Sequence, residues 1–119
     1  MADSPAAGTR PTLFVRLLAE SREAHAGGQH EVAYHALMAA MHAADDVADL
    51  RALEAVSLEA AAQLQHIDRH LPQHRLSTSS ASRHVHPGVF TLLARQSTML
   101  AHLHESRRHS SEPRSGGAK

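Results

Sequence analysis

Apolar residues recur at spacings of three and four along four stretches of the chain, which is the period of an amphipathic α-helix. The pattern predicts an all-α fold, a small bundle of three to four helices. The predicted helices cover residues 12–26, 30–44, 46–71 and 87–106.

The second and third predicted helices have the clearest apolar faces. In the second, the face consists of Ala33, Ala36, Leu37, Ala40, Met41 and Ala44. In the third, it consists of Leu53, Val56, Ala60, Leu64, Ile67 and Leu71. We expect the third helix to end before Pro72. At about 1.5 Å per residue it would be roughly 38 Å long, the longest element of the fold.

Turn-forming residues separate the predicted helices. Gly27 and Gly28 stop the first helix as glycine caps do, and Asp45 or Asp46 caps the third. A polar, serine-rich loop is predicted at residues 73–86. The expected organisation is a disordered tail, one helical domain and a second disordered tail, at residues 1–10, 11–106 and 107–119.

The composition narrows the class of protein. The chain has 22 Ala, one Tyr, two Phe and no Cys, which favours close-packed helices and excludes disulfides and thiolate chemistry. Eleven Arg against one Lys, with the excess of Ala, indicates a GC-rich, bacterial genome. Neither a signal peptide nor a membrane span is predicted, so we expect a cytoplasmic protein without membrane contact.

Charge is balanced overall but unevenly placed. Residues 1–68 hold four Arg and ten acidic residues, a net charge of −6, and residues 69–119 hold eight Lys or Arg and two acidic residues, a net charge of +6. Such asymmetry can mark an arm that binds nucleic acid. The chain offers only one Tyr and two Phe to stack on bases. We therefore expect no nucleic-acid partner, and expect the two halves to attract each other within the fold or a dimer.

The turn and second helix resemble the helical hairpin of a tetratricopeptide repeat. In that family a glycine closes the turn, and two small alanines on the second helix let it pack closely on the first. The matching residues are Leu17, Gly28, Ala33, Leu37 and Ala40. The resemblance covers one repeat, residues 12–45, because Ala62 stands where a second turn glycine would follow.

The same segment departs from the family at several places. Glu20 stands where a leucine is usual, and Ser21 where a glycine or alanine is usual. Ala24 and His30 replace aromatic residues. A helical bundle of independent origin therefore stands as the second interpretation.

The resemblance implies a protein–protein interaction module that holds a peptide or a partner helix. Because the chain has one such hairpin, the partner can be a second copy, giving a homodimer. The candidate partner-binding residues are Tyr34, His35 and His42, on or beside the surface of the second helix.

Twelve histidines form the second unusual feature of the chain. Imidazole binds Zn, Ni and Cu when two or more rings converge on one point. His66 and His70 lie four residues apart on one helix face, and His84 and His86 lie in the predicted loop. If the fourth helix folds back along the third, these four histidines form a metal site, with His74 or Asp68 as a reserve ligand. The alternative function is therefore a histidine-rich metal-binding protein.

No motif predicts catalysis. His30 and His35 resemble the zinc-protease helix motif but are one residue too far apart, so their side chains leave the helix in different directions. The chain also has no nucleophile elbow, phosphate loop or dinucleotide fingerprint. We therefore expect no enzyme and, for an interaction module, no cofactor. The histidines also make the net charge sensitive to mild acidification.

Overall fold

The computed structural model describes residues 11–84 and 86–111. This part of the chain is all-α, as predicted, and contains no strand. It forms five helices, α1 (Leu13–Ala26), α2 (His30–Asp46), α3 (Leu50–His70), α4 (Thr78–Arg83) and α5 (Val89–Ser111).

The four long helices pack as two adjacent pairs. α1 packs along α2, and α3 packs along α5. The pairs meet mainly where α2 lies against α3, with a smaller contact between α2 and α5. α2 is therefore the central helix, and the short α4 contacts α3.

The turn between α1 and α2 forms around the predicted glycines. Gly28 has φ = 82°, in the left-handed region that favours glycine. The N–H of Gly27 donates to the carbonyls of Glu23 and Ala24, and the N–H of Gln29 donates to Ala24 O at 2.8 Å. These bonds satisfy carbonyls at the end of α1. The predicted glycine stop is confirmed.

The core forms where the apolar faces of α2, α3 and α5 meet. Small alanines on α2 let its neighbours approach closely, and larger residues fill the space between the helices. The largest buried apolar side chains are Phe90, Leu37, Met41, Leu53, Ile67 and Val56. The apolar stripes of α2 and α3 predicted this core, except that Leu71 is exposed and Ala36 and Leu64 are only partly covered.

The predicted start of the third helix is wrong by one turn. α2 continues through Asp46, and α3 begins at Leu50 with Asp49 as its N-cap. The Asp49 carboxylate accepts from Ala52 N at 3.1 Å. Asp45 lies at the end of α2 and contacts His104 Nε2 at 2.7 Å. Asp45, Asp46 and Asp49 can each cap a helix, so the sequence alone left the N-cap of this helix ambiguous.

Two further expectations about the second half differ from the structure. α3 ends at His70 and has 21 residues, roughly 32 Å at about 1.5 Å per residue, whereas α5 has 23 residues and is the longest element.

The serine-rich segment is not entirely loop, because α4 lies within it. Ser77 caps α4 by accepting from Ser80 N, and the Asp68 carboxylate accepts from Thr78 N and Oγ1.

The predicted boundary at residue 106 falls inside a helix. α5 continues to Ser111, through Arg108 and His109 in its last turn. Positive side chains suit the negative end of the helix dipole, so a polar sequence is compatible with helix here. The predicted tail at 1–10, and residues 112–119 of the tail predicted at 107–119, lie outside the described residues.

Candidate functional site

Five histidines gather where the α1–α2 turn meets the end of α3. They come from the last turn of α1, the first residue of α2, the last two turns of α3 and the segment after α3. We call them the histidine cluster, which consists of His25, His30, His66, His70 and His74. Residues 25 and 30 approach each other because the glycine turn reverses the chain between them.

The rings of the cluster are in direct contact. The centroid of His25 lies 4.7 Å from that of His30 and 4.8 Å from that of His66. His30 and His66 are 6.2 Å apart, so these three rings form a triangle across α1, α2 and α3. His70 lies 4.7 Å from His66, and His74 lies 5.4 Å from His30.

Hydrogen bonds restrict the protonation of these rings. The Nδ1 atoms of His25 and His30 lie 3.0 Å apart. A neutral imidazole has one N–H and one lone pair, so one Nδ1 donates and the other accepts. His74 Nδ1 accepts from the N–H of Leu76 at 3.0 Å. Neutral His74 therefore carries its proton on Nε2.

The cluster disfavours positive charge. Burial is the main reason why the pKa of His25 lies below its usual 6.5, and the neighbouring His30 and His66 lower it further, against a smaller opposing effect of Glu59. Burial likewise lowers the pKa of His30, with His74 and His66 adding to the effect. Only 5% of His30 is exposed. These two rings are therefore neutral, with lone pairs available, at neutral pH.

A buried polar chain lies beside the cluster and joins the same three helices. Ser21 Oγ donates to Ala33 O at 2.7 Å and accepts from Gln63 Nε2 at 3.0 Å. Gln63 Nε2 also donates to the Glu59 carboxylate, which pairs with Arg22 Nε at 3.0 Å. Ser21, unusual for the hairpin family at its position, thus bonds α1 to α2 and α3. This chain fixes the helices from which the histidines extend.

An ion pair holds the segment after α3 against α2. Arg75 pairs with Glu31 in the first turn of α2. The pair lies one residue from His74 and one residue from His30 along the chain. It therefore helps to keep those two rings in contact, although both partners are accessible to solvent and a surface pair adds little stability.

The structure divides the four histidines predicted as metal ligands. His66 and His70 belong to the histidine cluster. His84 and His86 lie after α4, with ring centroids 6.0 Å apart, and their Nδ1 atoms bond to Ser80 O and Pro87 O. Within the described chain, no ring contact links these two histidines to the cluster. Metal binding by any of the four stays a prediction.

His25 and His30 were not among the predicted ligands, and His74 was predicted only as a reserve ligand. The signal for the first two was present, since one histidine stands on each side of the Gly27–Gly28 turn. A tight turn brings the flanking residues together, and this rule would have paired them. His25 and His30 lie next to His66 because α3 packs on the hairpin, and this packing could not be predicted from the turn.

In residues 11–84 and 86–111, no group of three or more His, Asp or Glu side chains has the arrangement of a metal site as it stands. His66 and His70 are exposed. Their rings have room to turn about the side-chain torsions.

The predicted partner-binding residues lie on α2. Tyr34 is half-buried, with its ring centroid 5.1 Å from His35 and 5.6 Å from Phe90, and burial raises its pKa. His35 and His42 are exposed. Tyr34 therefore contributes to the packing of α2 on α5, and the two histidines form an accessible surface.

A groove runs between α3 and α5, and residues of these two helices alone line it. Ser57 and Thr98 bond across its floor, with their hydroxyl oxygens 3.1 Å apart. Leu58 lies in the groove and is 72% exposed. Glu54 and Glu105 also line it, so the groove combines an apolar centre with acidic side chains.

None of the described helices has the length and apolarity needed to cross a bilayer. No protein-family model matches the chain, and no curated protein or solved structure matches it either. The likeness to a tetratricopeptide hairpin therefore remains a resemblance at the residues named above.

Proposed function

We propose that this protein is a helical interaction module that self-associates through the groove between α3 and α5. The observation that carries the proposal is the exposure of Leu58, at 72%, in a groove that no described helix covers. Burying a leucine contributes roughly 1.5–3 kcal/mol, so an uncovered leucine in a concave site favours association. Grooves of this kind bind the apolar face of an amphipathic helix.

A second copy of the chain is the partner we favour. About 100 residues are near the lower end of what buries an adequate core in one chain, so association adds needed apolar burial. The net charge is −6 over residues 1–68 and +6 over residues 69–119, so the basic half of one copy attracts the acidic half of another. A basic amphipathic helix of another protein is the alternative occupant.

The test is the association state of purified protein with matched variants. We expect wild-type protein to form a dimer in sedimentation-velocity experiments, and Leu58→Asp to weaken it at least about 10-fold, the effect of losing roughly 1.4 kcal/mol. Val32→Asp is the control, because Val32 is 55% exposed on α2, away from the groove. A monomeric wild type, or a Leu58→Asp variant that dimerises like wild type, would contradict self-association.

The candidate residues on α2 offer a second test of the interaction surface. His35 and His42 are exposed, whereas Tyr34 also supports packing. Substituting His35 and His42 together by Ala is expected to leave stability unchanged. If this variant failed to associate while Leu58→Asp associated like wild type, the interface would lie on α2 and not in the α3–α5 groove.

A further inference from the structure

The histidine cluster brings five imidazoles into contact, and only two of them are among the four ligands that the sequence predicted. We propose that His25, His30, His66 and His70 bind one divalent transition-metal ion, with Zn²⁺ as the reference ion. The inference does not depend on the interaction function, because the cluster lies at the ends of α1 and α3 and the groove is lined by other residues.

Ring spacing supports this set of ligands. With Zn–N bonds of 2.0–2.1 Å, adjacent imidazoles on a tetrahedral ion have centroids about 5 Å apart. The centroid of His25 lies 4.7 Å from His30 and 4.8 Å from His66. Two of the three separations among these rings therefore match those of ligands, and the third, 6.2 Å between His30 and His66, must shorten as the rings turn to one centre.

The shared proton between His25 and His30 marks where the ion would enter. Their Nδ1 atoms are 3.0 Å apart, close to the separation of about 3.3 Å between two nitrogens on one tetrahedral zinc. Before the ion binds, the ring with its proton on Nδ1 changes to the tautomer with its proton on Nε2, by exchange with water. Both Nδ1 lone pairs are then available to the ion. Because both rings stay neutral, no proton is released to the solvent.

His66 and His70 complete the set from α3. They lie four residues apart on one helix face, which is the spacing of two zinc ligands on a helix. Their centroids are 4.7 Å apart, and both residues are exposed and free to reorient. The Glu59 carboxylate, which already acts on His25, is the nearby negative charge that would offset that of the ion.

His74 is excluded as a ligand although its ring belongs to the cluster. Its Nδ1 accepts the N–H of Leu76, so Nε2 holds the only proton of the neutral ring. A histidine that binds metal through one nitrogen ordinarily donates from the other. His74 cannot do this while the bond to Leu76 stands, and its role is to pack against His30.

The experiment is zinc titration of tag-free full-length protein, followed by calorimetry and native mass spectrometry. We expect one Zn²⁺ per chain, and a rise in Tm of about 10 °C or more at saturating zinc, because the ion joins α1, α2 and α3. His66→Gln and His25→Gln are expected to weaken zinc binding about 100-fold. Unfolding of each variant without zinc checks that it folds, and His66, being exposed, is the safer substitution.

Three control variants test whether histidines outside the proposed ligand set bind the zinc ion. His42→Gln, the double variant His84→Gln/His86→Gln, and His74→Phe are each expected to bind zinc like wild type. The proposal is overturned if wild-type protein binds no zinc, if His66→Gln binds as tightly as wild type, or if any of the three controls loses binding.

Discussion

Two neighbouring regions both join α2 to α3, by different chemistry. The core between α2, α3 and α5 is made of closed apolar contacts around Leu37, Leu53 and Phe90. The histidine cluster, at the end of the α1–α2 hairpin, is made of titratable rings, some of which are exposed. The fully buried apolar side chains of the core carry no titratable group, whereas every ring of the cluster is an imidazole.

This difference separates structural stability from chemical response. Contacts such as those of Leu37 contribute the same stabilisation at any pH, since they depend on buried apolar area. Contacts between imidazoles weaken when neighbouring rings are both protonated, because like charges repel. We therefore expect large effects on folding from substitutions in the core, and effects from the cluster that depend on pH and on added ions.

The largest expected effect comes from the core. Leu37→Ala removes a side chain with no exposed surface and is expected to lower the free energy of unfolding by roughly 2–5 kcal/mol, through lost burial and the cavity left behind. Urea unfolding followed by circular dichroism measures this change. Val32→Ala on the same helix is the control and should cost far less. Equal losses in the two variants would contradict the placement of α2 at the centre.

A smaller effect is expected at the turn that brings His25 and His30 together. Gly28→Ala places a Cβ in the left-handed region, where strain rather than crowding is the cost, because no atom lies within 4 Å of that Cβ. We expect a loss of about 1 kcal/mol. Gly27→Ala, with φ = −86° and only ordinary contacts, is the matched control. If Gly27→Ala proved the more harmful change, the assigned turn geometry would be wrong.

The smallest expected effect is the pH dependence of the metal-free cluster. The pKa values of His25 and His30 are lower in the folded chain than the usual 6.5, so the unfolded chain binds more protons between the two values. This contribution to stability is complete above pH 6.5 and is lost as the pH falls through the lowered pKa values.

Unfolding in urea with a chelator, at about pH 7.5 and about pH 5.5, measures this dependence. His25→Gln is expected to lose less stability on acidification than wild type, and the exposed His42→Gln the same amount as wild type. A wild-type protein more stable at the lower pH would contradict the direction of these pKa shifts.

Periodicity predicted most of the fold. The apolar stripes of α2 and α3 marked most of the residues that become buried, because helical spacing alone places them on one face. The cap at Asp49 and the helix at Thr78–Arg83 were missed. In both places several Asp, Ser or Thr residues compete for one capping position, and the tertiary contacts, such as Asp68 with Thr78, decide between them.

The histidine cluster could be predicted only in part. The spacing of His66 and His70 identified one helix face, which is a local property. Its neighbours were predicted to be His84 and His86, but they are His25 and His30, since α3 packs against the α1–α2 turn. Which histidines lie next to His66 and His70 depends on how the helices pack, and no local sequence pattern predicts that packing.

Anomalous scattering at the zinc edge, from crystals grown with equimolar Zn²⁺, tests the central claim most directly. The account predicts one peak within about 2.0–2.1 Å of ring nitrogens from His25, His30, His66 and His70. A peak at His84 and His86, or no peak within the cluster, would contradict it.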